Sequence, residues 1–106
     1  MSEQNLGFKF EEELAEEFGL DRIPGSGSTW HSKLDLKGNN ARWSLKATDK
    51  FRWPISARDI YEAKEQCFGP GGDGSTPIWA ARIQGEDYIV LRKEDFKLFQ
   101  NGDIKF

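Results

Sequence analysis

In the stretch KLDLKGNNARWSLKAT, residues 33–48, an acid and a lysine occupy positions that a hairpin would bring together. Side chains alternate between the two faces of a strand, so Trp43, Leu45 and Ala47 share an apolar face while Arg42, Ser44, Lys46 and Thr48 share a polar one. Lys33, Asp35 and Lys37 oppose Leu34 and Leu36 in the same way. Gly38-Asn39-Asn40 is turn chemistry, because Gly and Asn accept the positive φ of a tight hairpin. With Asn39 and Asn40 as the loop, Asp35 pairs with Ser44, and Asp35, Ser44 and Lys46 gather on one face. A carboxylate can hold a hard cation, and a lysine can orient or stabilise an attacking hydroxide. Together they suit phosphodiester cleavage.

Positive charge collects around the same stretch. The formal charge of the chain is −3, yet residues 31–58 carry seven bases (Lys33, Lys37, Arg42, Lys46, Lys50, Arg52, Arg58) against two acids. Residues 1–22 carry the reverse, seven acids against two bases. For binding a polyanion the distribution matters more than the sum, so Lys33, Lys37, Arg42, Lys50 and Arg52 are candidate phosphate contacts. Gly25-Ser26-Gly27-Ser28-Thr29 is rich in hydroxyls and exposed amides, which suits phosphate contact and equally suits an ordinary turn. Trp30 and Trp53 flank the basic hairpin and are expected to be exposed, whereas Trp43 and Trp79 occupy strand positions that could anchor a core.

A chain of 106 residues with 37% hydrophobic content is expected to form one domain over 1–106. One cysteine, Cys67, and one histidine, His31, leave no internal disulfide and no zinc cluster to build. No apolar run approaches the roughly 20 residues needed to cross a bilayer. The N-terminal MSEQNLGFKF lacks the apolar region of a signal peptide, so an intracellular location is expected.

The elements that must position these residues follow from periodicity and punctuation. Leu14, Ala15 and Phe18, extended by Phe10, mark an amphipathic helix over Gly7–Phe18 that Gly19 stops. Glu11 lies along the edge of that stripe, where a carboxylate needs a cation or hydrogen-bond donors. Leu20–Pro24 suggests a short first strand. After the hairpin, Ser56 and Asp59 form a capping box and Ile55 with Ile60 a hydrophobic staple, opening a second helix with Ile60, Ala63 and Cys67 inward. Pro77–Ile83 and Asp87–Arg92 are expected strands around a Gln84-Gly85-Glu86 turn, and Lys93–Gln100 a closing helix with Phe96 and Phe99 or Leu98 inward. Helix, strand, strand, strand, helix, strand, strand, helix describes an α/β sandwich, a central mixed sheet with helices on its faces.

EEEL in the first helix, then RIPGSGS, LDL, a turn, SLKAT and a capped helix resemble the archaeal-type Holliday junction resolvases of the PD-(D/E)XK nuclease superfamily. The resemblance covers residues 7–92. It implies the restriction endonuclease-like αβββαββ(α) sandwich, and a site made of a helix glutamate, a strand aspartate and a Glu-x-Lys. By position, Glu11 matches the helix acid, Asp35 the strand acid and Lys46 the lysine, with Ser26 or Ser28 as the serine of the Gly/Ser loop. Ser44 stands where the family has Glu, leaving Asp35, the main-chain carbonyl of Leu45 and Glu11 around a Mg²⁺ or Mn²⁺ ion. Some restriction enzymes of the superfamily also have Ser-x-Lys and take the missing acid from the next helix, for which Glu62 and Glu65 are candidates here.

The expected activity is therefore a metal-dependent endodeoxyribonuclease acting on branched or structured DNA. Asp35 and Lys46 favour it. Ser44 favours a catalytically inactive nuclease-fold module that only binds nucleic acid, and a protein-interaction domain is the third alternative. Resolving a four-way junction symmetrically takes two sites, so the resemblance also implies a homodimer.

Overall fold

The computed structural model describes residues 3–22 and 35–104. In chain order they form α1 (Glu3–Phe18), β1 (Asp21–Arg22), β2 (Asp35–Lys37), β3 (Ala41–Thr48), α2 (Ala57–Phe68), β4 (Thr76–Ile83), β5 (Glu86–Val90) and α3 (Lys93–Gln100). The sheet runs β1-β2-β3-β4-β5. Only the β3–β4 pair is parallel, and α2 supplies its crossover, as a parallel connection requires.

Alternation along the strands makes two cores. On one face Leu36, Trp43, Leu45, Ile78 and Ala80 pack beneath Phe10 and Leu14 of α1. On the other, Trp79 and Ala81 pack with Ile55 and with Ala63 of α2, joined by Ile60 and Val90. The protein is thus α/β, with a five-stranded mixed sheet between α1 and α2. Trp43 and Trp79 are both buried, as their strand positions predict, and Cys67 is buried as a small apolar residue.

The punctuation is carried by particular residues. Gly19 stops α1 at φ 65, with Leu20 N–H donating to the Ala15 carbonyl at 2.9 Å. The helix begins at Glu3, four residues ahead of the expected start. Ser56 caps α2 reciprocally with Asp59, and both halves of the capping box are formed.

The two hairpins close differently. Gln84 and Gly85 both take positive φ, 51 and 82, as a tight turn between β4 and β5 prefers. Asn39 and Asn40 do not, contrary to the turn chemistry expected of them. The reason lies across the sheet: the Asn40 carbonyl accepts the Thr76 N–H at 2.8 Å, so pairing with β4 already begins in the loop.

α3 also departs from expectation. Phe96, Leu98 and Phe99 are 40–49% exposed, and the buried residue is Asp95. Arg92 grips both Asp95 oxygens, at 2.7 and 3.1 Å, and its guanidinium lies 4.8 Å from the Phe68 ring centroid. The fork joins two residues of the helix start itself, and the Arg92–Phe68 contact ties that start to α2, with the apolar side chains left outward. No helix among the described residues is long and apolar enough to cross a membrane.

Candidate functional site

β3 brings Arg42, Ser44 and Lys46 to the α2 face of the sheet, because its odd-numbered residues are committed to the core under α1. β2 pairs with β3 in the expected register, Asp35 opposite Ser44 and Lys37 opposite Arg42. The side chain of Asp35 lies outside the described residues, as do Ser26, Ser28, Lys33, Trp30 and His31. Ser44 is 5% exposed, and its hydroxyl oxygen has no hydrogen-bond partner among the described residues. On β4 its register partner is Trp79, whose indole N–H is likewise buried and has no partner among the described residues. The described β2–β3 ladder stops one residue short of Leu45, whose side chain belongs to the α1 core.

The α2 acid set beside Lys46 is Asp59. Its Oδ1 lies 3.8 Å from Lys46 Nζ, while its Oδ2 accepts the Ser56 N–H at 2.8 Å. The cap thereby orients the carboxylate, and the longer separation is an ion pair without a direct hydrogen bond. The pair is half-sheltered, with 39% of the Lys46 side chain and 17% of the Asp59 side chain exposed. Sequence reasoning credited Asp59 with the cap alone. Its position in the first turn of the helix after β3 was the available signal, since a short connection brings the start of a crossover helix back near the end of the strand that leads into it.

Glu11 does not join this group. α1 covers the opposite face, and there Glu11 is 3% exposed and pairs with Arg22, Nε to Oε1 3.0 Å. Burial pushes its carboxyl above the ordinary value of 4.5, and the Arg22 charge works the other way. Its second oxygen, Oε2, has no hydrogen-bond partner among the described residues. The structure thus corrects the placement of Glu11 beside Asp35: the stripe that buries Phe10 and Leu14 carries Glu11 to their side of the sheet.

Glu62 lies one turn beyond Asp59 and pairs with Arg58 at 3.1 Å. Glu65 is exposed near the end of α2, where its carbonyl accepts the Gly69 N–H. Among the described residues no three acids, histidines or cysteines stand together as a metal centre.

The basic residues divide between the two ends of β3. At its start, Lys37 pairs with Asp73 at 3.1 Å, and both line a cleft with Asp21, Arg22, Asn39 and Arg42. The Asp73 carboxyl is held far below the usual range, first by its hydrogen bond from Ser75 and then by Lys37. Lys50 and Arg52 lie beyond the other end, about 25 Å away at the rise of a strand. Lys46 stands between the two groups. Compared with family models, with curated proteins and with solved structures, the chain matches none of them.

Proposed function

We propose that the protein is a metal-dependent endodeoxyribonuclease acting on branched or structured DNA, with its centre on the α2 face of β3. The observation that carries this reading is the Lys46–Asp59 pair, standing one alternate position from a buried Ser44 whose register partner is Asp35 and whose hydroxyl has no hydrogen-bond partner among the described residues. The sheet and its two covering helices would then be the restriction endonuclease-like sandwich. The acid missing at Ser44 comes from Asp59 rather than from Glu11, Glu62 or Glu65.

The donor set suits a small hard cation. Mg²⁺ is typically held by one or two carboxylates, with waters and substrate phosphate completing the shell. Asp59 and Asp35 would hold it, with the Ser44 hydroxyl, opposite Asp35 in the register and without a hydrogen-bond partner among the described residues, as a further oxygen. When bound, the ion makes its water a stronger nucleophile and offsets charge on the phosphate.

The rest falls to this chain. The Lys46 ammonium steadies the attacking hydroxide and the extra negative charge that builds on the phosphate oxygens. Asp59 keeps that ammonium in place through Oδ1, and the Ser56 N–H keeps Asp59 in place through Oδ2. Oxygen from water bonds to phosphorus as one P–O ester bond breaks. The water gives up a proton, and the departing alkoxide takes one up.

Ser44 favours a second reading, a nucleic-acid-binding module without cleavage, because a neutral hydroxyl stands where the resembled family has Glu. Cleavage of labelled junction, flap and linear DNA in Mg²⁺ and Mn²⁺, with Asp35→Ala and Lys46→Ala as controls, separates the two. The nuclease reading expects metal-dependent cutting that both substitutions abolish. Binding without cutting in either metal would overturn it.

A further inference from the structure

The loop from Asp49 to Pro54 between β3 and α2 has no part in the chemistry above, yet it is pinned in place. Thr48 Oγ1 accepts the Lys50 N–H at 3.1 Å, and the Lys50 carbonyl accepts the Arg52 N–H at 2.9 Å. The Asp49 carbonyl accepts from the side-chain amide of Gln84. A loop tied down this way displays rather than hides what it carries. Phe51 is 92% exposed, between Lys50 and Arg52 in sequence. Trp53 is 49% exposed and meets Tyr88 of β5 edge-on, ring centroids 6.4 Å apart.

The position of this aromatic group is set by the sheet. Lys46, Ala81 and Tyr88 form one register row across β3, β4 and β5. Tyr88 therefore stands two strand spacings, about 10 Å, from the lysine of the candidate centre. Charge and ring faces occur together, for residues 49–58 hold three bases, Lys50, Arg52 and Arg58, and one acid, Asp49. Basic side chains track a phosphate backbone, and exposed rings stack on bases only where the bases are unpaired. A duplex offers such a loop phosphates alone; a single strand offers both.

We propose that this loop is a stacking platform for unpaired nucleobases, with Phe51 and Trp53 receiving the bases and Lys50 and Arg52 meeting the phosphates. It rests on the DNA-cleaving reading and narrows its substrate to DNA with a single-stranded segment next to the scissile bond. Prepaid ordering of the loop makes the stacking effective, because little further entropy is lost on binding.

The test is binding in EDTA, which needs no metal and no cleavage and so succeeds or fails independently of the nuclease reading. Fluorescence anisotropy would compare a labelled oligothymidylate, the same length of abasic strand, and a blunt duplex. Phe51→Ala and Trp53→Ala should each weaken oligothymidylate binding about tenfold, within the range for loss of one base–aromatic stack. Duplex and abasic-strand affinities should change less than about twofold, because neither presents a base to stack. Lys50→Ala should weaken binding to all three. Phe51 is so exposed that its replacement leaves the fold intact, and circular dichroism checks Trp53→Ala. Aromatic variants that bind oligothymidylate as the parent does, or that lose equally on the duplex, would overturn the platform. So would variants whose only change is in sedimentation, which would make the patch a contact between copies.

Discussion

Lys46 of β3 and Asp59 of α2 meet across the interface of strand and helix, with Nζ and Oδ1 3.8 Å apart, and the second Asp59 oxygen is held by the Ser56 N–H. One carboxylate therefore serves both the start of the helix and the lysine of the candidate centre. The two duties are separable by substitution. Asp59→Asn keeps an oxygen acceptor for the cap and discards the charge. It should leave thermal stability nearly unchanged while lowering Mg²⁺-dependent cleavage by at least about 10–100-fold, the scale for losing a group that only orients a metal's ligands, since Asp59 would itself hold the ion. Asp59→Ala should lose the cap as well, costing about 1 kcal/mol. Cleavage by Asp59→Asn at the parent rate would confine Asp59 to the cap.

What was legible in the sequence was local and periodic. The Asp35–Ser44 register followed from alternation and loop length, and the α2 cap from Ser56 and Asp59 in their spacing. Glu11 was not placed correctly, because a helical stripe says which residues share a face and nothing about which side of the sheet that face covers. The Lys46–Asp59 contact was hidden for a similar reason: it depends on how α2 crosses the sheet, a tertiary fact. The exposure of Phe96 and Phe99 was missed because an apolar period does not reveal that the start of α3 is tied to α2 through Arg92 on the Phe68 ring.

Glu11 gives a prediction in pH. Burial raises its carboxyl above 4.5, so the fold prefers the protonated form. That preference adds stability at pH below the unfolded value and is lost as pH rises through the raised folded value. Glu11→Gln is neutral throughout and escapes the loss. Its melting temperature relative to the parent should therefore climb as pH rises from the ordinary glutamate value through the raised folded value, with cleavage unaffected because Glu11 lies on the α1 face. A constant gap across that window would show that Arg22 fully offsets the burial.

The split of the basic residues predicts unequal salt effects. Replacing a phosphate-contacting base should lower the slope of log affinity against log salt by about one. Lys50→Ala should show that full change. Lys37→Ala should show less, since Lys37 is already paired with Asp73 and must give up that partner to reach a phosphate. Asp73→Ala should then tighten DNA binding. Equal slopes for the Lys37 and Lys50 variants would mean that the Asp73 pair does not persist when DNA binds.

Ser44 sets stability against activity. Its buried hydroxyl has no partner among the described residues, and a buried polar group left unsatisfied costs about 1–3 kcal/mol. Ser44→Ala removes that cost, so the melting temperature should rise by roughly 4–8 °C for each kcal/mol recovered in a domain of this size. If the hydroxyl serves the centre, the same variant should bind Mg²⁺ more weakly and cut more slowly while melting higher. A merely structural serine would raise the melting temperature and leave cleavage alone. Ser44→Glu runs the other way. The longer side chain crowds a 5% exposed position next to Trp79, for which about 1–3 kcal/mol of strain is typical. It also adds a carboxylate next to Lys46, and a tenfold gain in Mg²⁺ affinity would correspond to about 1.4 kcal/mol. Thermal melts with and without Mg²⁺ separate the two effects: Ser44→Glu should melt below the parent in EDTA and recover part of the difference as Mg²⁺ is added. No recovery with Mg²⁺, together with unchanged cleavage in Ser44→Ala, would remove Ser44 from the site.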